Sequence, residues 1–290
     1  FMGKRNAMIS SSRIDEDSIN TLAERAVAMA KLAPEDPFAD LAEADLLARS
    51  IPAIDICDAT EVSSDELRDD ALAAEEAARA IKGITNSEGG SASSGRVDVM
   101  IATSNGFSGG YQRSSHGVSV MVLSEQDGTM ERDYDYTSAV YREDLKSPQE
   151  IGISAAERTL QRLGATRPPT GSFPVIYDRR VSSSIAGHIA SAINGAAIAR
   201  GTSFLKDSMD SPIAADTITL VDDPLRPRGL GSSPFDGEGL ARQRRVMVEN
   251  GVLKGWFLDL ASARQLGLAP TGNARRGAGS PPSPGTTNWI

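Results

Sequence analysis

Apolar and polar positions follow two rhythms along this chain, and the change between them predicts its elements. From Asp15 to Leu32 apolar residues recur as Ile19, Leu22, Ala26 and Met29, the spacing of one helix face, with Asp15, Glu16 and Asp17 at the end that favours negative charge. This predicts an amphipathic helix packed on a neighbour. Pro34 and Pro37 end it, and the connector beyond them is expected to hold a short helical piece, Leu41 to Ala48. Ser63 to Glu66 matches a capping box and opens a helix through Ile81, with Leu67, Ala71, Ala74 and Ala78 inward and an acidic, solvated outer face.

The period then drops to two. Val97, Val99 and Ile101 alternate with polar residues, as do Val118, Val120 and Val122, and Asp127-Gly128 predicts a hairpin into a third strand bearing Met130, Arg132, Tyr134 and Tyr136. His116 falls in the second strand and reads as structural. A helix from Ser154 to Leu163 closes this half. Pro168 and Pro169 mark a connector, dividing the chain into domains 1–167 and 171–290.

The second half is expected to start with a short buried strand, Phe173 to Tyr177, and a small-residue helix, Ser182 to Arg200, carrying His188. A strand from Thr217 to Val221 precedes a loop with Gly229, Gly231, Gly237 and Gly239, where backbone can approach a ligand or another chain closely. Asn250-Gly251 supplies the positive φ values of a two-residue hairpin, and Asp259 and Gly267 bracket a final short helix. Antiparallel strands beside helices in both halves define an α+β fold.

Charge and composition narrow the function. A net charge of -9 gives no field for nucleic acid. The cluster Arg242, Arg244 and Arg245 reads as a solvated strand face. Cys57 is the single cysteine, which fits a reducing, cytoplasmic setting. No apolar run reaches the ~20 residues a membrane helix requires.

Two histidines, His116 and His188, offer no HExxH pair. Ser232 and Ser233 do not form the G-x-S-x-G elbow, and the glycine loop lacks a P-loop lysine while carrying Asp236 and Glu238. What remains is recognition of a peptide or protein surface, with Ser232, Ser233, Asp236, Glu238 and His188 as candidate contacts.

Six stretches carry a family likeness: ITNSEGG from Ile84, GTMERDYDYT from Gly128, GHIASAINGAA from Gly187, SFLKDS from Ser203, GLGSSPFDGEG from Gly229, and ENGVLKGWFLD running on to SARQLG. In this order they resemble the TldD/PmbA family, and within it the PmbA branch, also called TldE and historically linked to DNA gyrase. The resemblance implies a cytoplasmic assembly in which TldD-type and TldE-type subunits form a metallopeptidase acting on unfolded peptides. It also implies further family residues at both ends of a chain like this one.

In the TldD branch the helix matching Ser182 to Arg200 carries HExxxH. The resemblance places its two histidines at Gly187 and Ala192 and its glutamate at His188, so it implies no catalytic or zinc-binding residue and no cofactor in this chain. Zinc is expected in a TldD-like partner; a homodimer is the other assembly. Two alternatives stay open: an independent hydrolase using His188 with a loop serine or acid, and a regulator of DNA gyrase.

Overall fold

The computed structural model describes residues 1–290. Its first half is a three-stranded antiparallel sheet, β1 (Asn86–Ala102), β2 (Ser108–Gln126) and β3 (Thr129–Ala139), in that spatial order. Asp127 (φ 53°) and Gly128 (φ 77°) make the expected turn. One face of the sheet is covered by α2 (Ser64–Arg79) and α3 (Pro148–Gln161). Val118, Val120 and Val122 of β2 meet Ala74 and Ala78 of α2 and Ile151, Ala155 and Ala156 of α3 in one core.

The small residues are what bring the two helices together. A Cβ built on Gly152 of α3 collides with the Ala74 carbonyl of α2, so this crossing admits glycine alone. Both helices start at complete capping boxes, Ser63 with Glu66 and Ser147 with Glu150. The second box sets the start of α3 at Pro148, six residues before the apolar periodicity at Ser154 suggested.

Several expectations change. The helix α1 (Glu16–Leu32) forms with Asp15 as its cap, but Ile19 and Met29 are about half exposed and only Ala30 is buried. Val97 lies on the sheet face away from the helices, paired with Arg113, and is exposed. Leu41 to Ala48 is not helical. Its backbone is bound elsewhere: Leu47 bridges Leu240, the Ala48 amide donates to Gly239, and the Asn105 side chain donates to the Ala42 carbonyl. Phe173 to Tyr177 forms no strand and is exposed throughout, because no neighbouring strand supplies the hydrogen bonds a buried one needs.

In the second half, the predicted long helix is two: α4 (Arg179–Ala192) and α5 (Gly195–Ala199), broken where Asn194 caps the second. A small sheet follows, with β4 (Leu220–Asp222), β5 (Arg245–Glu249) and β6 (Val252–Leu253). Asn250 (φ 47°) and Gly251 (φ 80°) turn the hairpin, and Val248 pairs with Leu253. The helix α6 (Leu260–Leu266) runs from Asp259, its cap, to Gly267, its left-handed stop. Two short strands, β7 (Ala274–Arg275) and β8 (Ser283–Pro284), pair near the end.

Phe257 is the centre of the second core, fully buried against Ile193, Met247, Val248 and Leu253 and edge-on to Trp289 at 5.5 Å. Trp289 in turn donates its indole N–H to the Ala186 carbonyl of α4. The last residue, Ile290, exchanges two backbone hydrogen bonds with Val221 of β4.

Several contacts join the halves, among them Arg180 of α4 with Asp133 of β3 at 2.9 Å. Arg228, in a left-handed conformation (φ 54°), stacks 3.8 Å over the Tyr141 ring and pairs with Asp55, Glu143 and Asp144. Residues 38–41 pack onto the second half, where Arg264 of α6 donates to the carbonyls of Phe38, Asp40 and Leu41. No helix is long and apolar enough to cross a membrane.

Candidate functional site

The glycine loop is anchored from both sides by its own chain. The Ser232 hydroxyl donates to the Arg226 carbonyl at 2.7 Å and accepts from Asn288 at 2.7 Å. Asp236 accepts three backbone N–H groups, from Glu238, Leu240 and Ala274, at 2.9–3.1 Å. Phe235 stands edge-on to Phe107 at 5.1 Å and to Tyr111 at 5.3 Å, which ties the loop to the β1–β2 hairpin.

Gly239 (φ +87°) lies against the Phe107 ring, where a Cβ would come within 2.8 Å. Gly231 is crowded in the same way by the Thr287 carbonyl. The glycines thus serve close approach of the chain to itself.

This corrects part of the expected site. Ser232, Ser233 and Asp236 are buried and do not present side chains for contact. The Ser232 hydroxyl is held between a carbonyl and an amide, with no base bonded to it, and His188 is exposed on α4. Arg242 is also buried. Its guanidinium donates to the Phe235 and Ala274 carbonyls, so it belongs to the loop's support and not to a solvated strand face. His116, read from sequence as structural, is buried, 3.4 Å from Asp58.

Glu238 is different. Its side chain reaches an open cavity of about 550 Å³ lined by the loop, the start of α6, the β1–β2 turn and the amino-terminal segment. Phe38, Leu41, Leu260 and Pro282 give it apolar walls, and Asp259 and Arg276 also line it. One carboxylate oxygen accepts the Leu260 N–H at 2.9 Å. Burial first, then the nearby Asp236 and Asp259 charges, push the Glu238 carboxyl up to about 8.

Asp259 and Arg276 were missed as site residues. Asp259 reads from sequence as a helix cap, which it is, and nothing local to Arg276 points at a cavity formed by segments more than 200 residues apart.

The Glu238 shift has a measurable consequence. Its folded value exceeds the ordinary 4.5, so between 4.5 and about 8 the folded chain keeps a proton that the unfolded chain has lost. Stability therefore falls as pH rises through this window and levels off above it. Burial raises Asp222 and Asp236 too, adding slope of the same sign. Glu238→Gln removes only the Glu238 part: the loss of urea midpoint between pH 5 and pH 8 is expected to shrink, and unchanged slopes would refute the assignment.

An α+β fold of two cores, with a loop-built acidic cavity where its halves meet, defines the class. Two family descriptions match in turn: the PmbA/TldA metallopeptidase central domain over residues 57–163 and its C-terminal domain over residues 170–290. The chain belongs to the PmbA/TldD metallopeptidase family. It is 38% identical over 271 residues to Metalloprotease PmbA of Escherichia coli O157:H7, covering 93% of this chain and 60% of that protein.

A Bacteroides thetaiotaomicron structure described as a candidate modulator of DNA gyrase superposes with a TM-score of 0.89 at 27% identity, covering 99% of this chain and 64% of that one. TldE from Thermococcus kodakarensis shares the fold, with a TM-score of 0.69 at 20% identity, over 96% of this chain and 62% of that one. The chain thus spans about six-tenths of the length of these relatives.

The family's zinc does not fit α4. Gly187 and Ala192 have no donor atoms in their side chains, and His188 points to solvent with no carboxylate partner. No group of three or more His, Cys, Asp or Glu is placed to hold a metal ion.

Proposed function

We propose that this chain is a TldE-type, noncatalytic subunit that works with a TldD-type metallopeptidase on unfolded peptides in the cytoplasm. The observation that carries this reading is the composition of α4, in a chain belonging to a metallopeptidase family: Gly187, His188 and Ala192 make no histidine pair, at the positions where the resemblance places the other branch's HExxxH residues. Hydrolysis then belongs to the partner, and this subunit shapes access to it.

In this reading the chain divides into domains 1–167 and 171–290. Glu238 faces peptide from the cavity wall. His188 faces the partner, on an exposed strip of α4 with Val181 and Ile185. Purified alone, the chain is expected to hold no stoichiometric zinc after dialysis against zinc and to leave an unfolded casein substrate intact. Metal analysis together with a cleavage assay checks both; zinc bound at one per chain with cleavage would overturn the reading.

A further inference from the structure

We propose that the cavity beside Glu238 binds a primary ammonium group, with the Glu238 carboxylate as its counter-ion. The proposal rests on the peptide-handling reading above and names the chemistry of the group taken up. An ammonium on an alkyl stem has two needs, a charge partner and an apolar sleeve, and the cavity holds both. Phe38, Leu41, Leu260 and Pro282 line the sleeve, and about 550 Å³ has room for a side chain or a peptide end.

The charges around the cavity select the sign. Asp236 on the same loop, Asp259 at the start of α6, and Asp36 and Asp40 on the amino-terminal segment are all acidic. Carboxylates outnumber cations here: Glu238, Asp259, Asp36 and Asp40 line the cavity against one arginine, Arg276. Lys4 pairs with Asp40 at 2.9 Å, Arg264 holds three carbonyls and Glu43, and Arg276 turns toward the Gly237 carbonyl at 3.4 Å. Glu238, by contrast, has one backbone N–H for a partner. A bound cation relieves both its desolvation and its repulsion by Asp236 and Asp259, whereas an anion would meet several carboxylates at once.

Binding is coupled to a proton. At neutral pH Glu238 carries its proton in the empty cavity, and the arriving ammonium displaces it to solvent. The amine keeps its own protons, so about one proton is released per group bound.

The ammonium can come from a peptide's amino terminus or from a lysine side chain, and the probes separate them. Four are titrated calorimetrically into the full chain at pH 7 in two buffers of different ionisation enthalpy: n-hexylamine, a short lysine-free peptide amide with a free amino terminus, its N-acetyl form, and an N-acetyl form carrying one lysine. Hexylamine and at least one free-amine peptide are expected to bind about tenfold or more tighter than the fully blocked peptide. They should also release about one proton, and Glu238→Gln should abolish that release.

Equal affinity for the blocked peptide, or proton release that persists in Glu238→Gln, overturns the ammonium site while leaving peptide handling intact. Hexylamine binding with proton release but no binding of any peptide does the reverse. Because the proton count is read on the unmodified chain, the test stands even if the variant folds poorly.

Discussion

Asp236→Ala is expected to destabilise the chain by about 3 kcal/mol or more, the cost of leaving three buried amides without an acceptor. The Glu238, Leu240 and Ala274 N–H groups all point at this one carboxylate, and no water-facing route is open because the residue is only 1% exposed. The sum stays below three separate losses, since removing a buried carboxylate also recovers some desolvation. Asp236→Asn should fall between. It keeps Oδ1 for Glu238 and Leu240 but sets an NH₂ group against the Ala274 amide. Urea unfolding measures both, and a loss under about 1 kcal/mol in the alanine variant would refute this account of the loop.

Phe257→Ala should cost about 3–5 kcal/mol, the range for removing a buried aromatic ring from a core that cannot close over the gap. The effect should also reach α4. Phe257 supports Trp289, whose indole N–H holds the Ala186 carbonyl. The intrinsic fluorescence of the folded variant is therefore expected to shift to the red as Trp289 loosens. A stability loss without a spectral change would show that Trp289 holds α4 independently of the core.

Local signals were the legible part of this fold. Asp259 and Gly267 bracket α6, Asn250-Gly251 turns the β5–β6 hairpin, and Asp127-Gly128 turns β2 into β3, because each of these depends on a few adjacent residues and their φ angles. The α+β class followed from the change of period. Burial was less legible. Phe173 to Tyr177 has the composition of a core strand, but a strand is buried only where another supplies its hydrogen bonds. Arg242 looks like surface from sequence, and lies inside because the Phe235 and Ala274 carbonyls, 7 and 32 residues away, converge on its guanidinium.

The candidate site shows the same divide. Glycine density at 229–239 correctly marked close backbone approach, yet it could not say to what; the answer is Phe107 and Thr287 of the same chain. Of the five candidate contacts, Glu238 reaches a cavity and His188 reaches solvent, while Ser232, Ser233 and Asp236 turn inward to hold the loop. The family itself was legible in the six motif stretches, which are spread along most of the chain.

The proposed dependence of this chain on a second subunit is tested most directly by reconstitution. Cleavage of an unfolded casein substrate is measured for this chain alone, for a TldD-type subunit alone, and for the two mixed at equal concentration. The account predicts no cleavage by this chain alone and, in the mixture, activity above that of the TldD-type subunit, abolished when that subunit's HExxxH glutamate is replaced by glutamine. Cleavage by this chain alone, or by the mixture after that replacement, would contradict it.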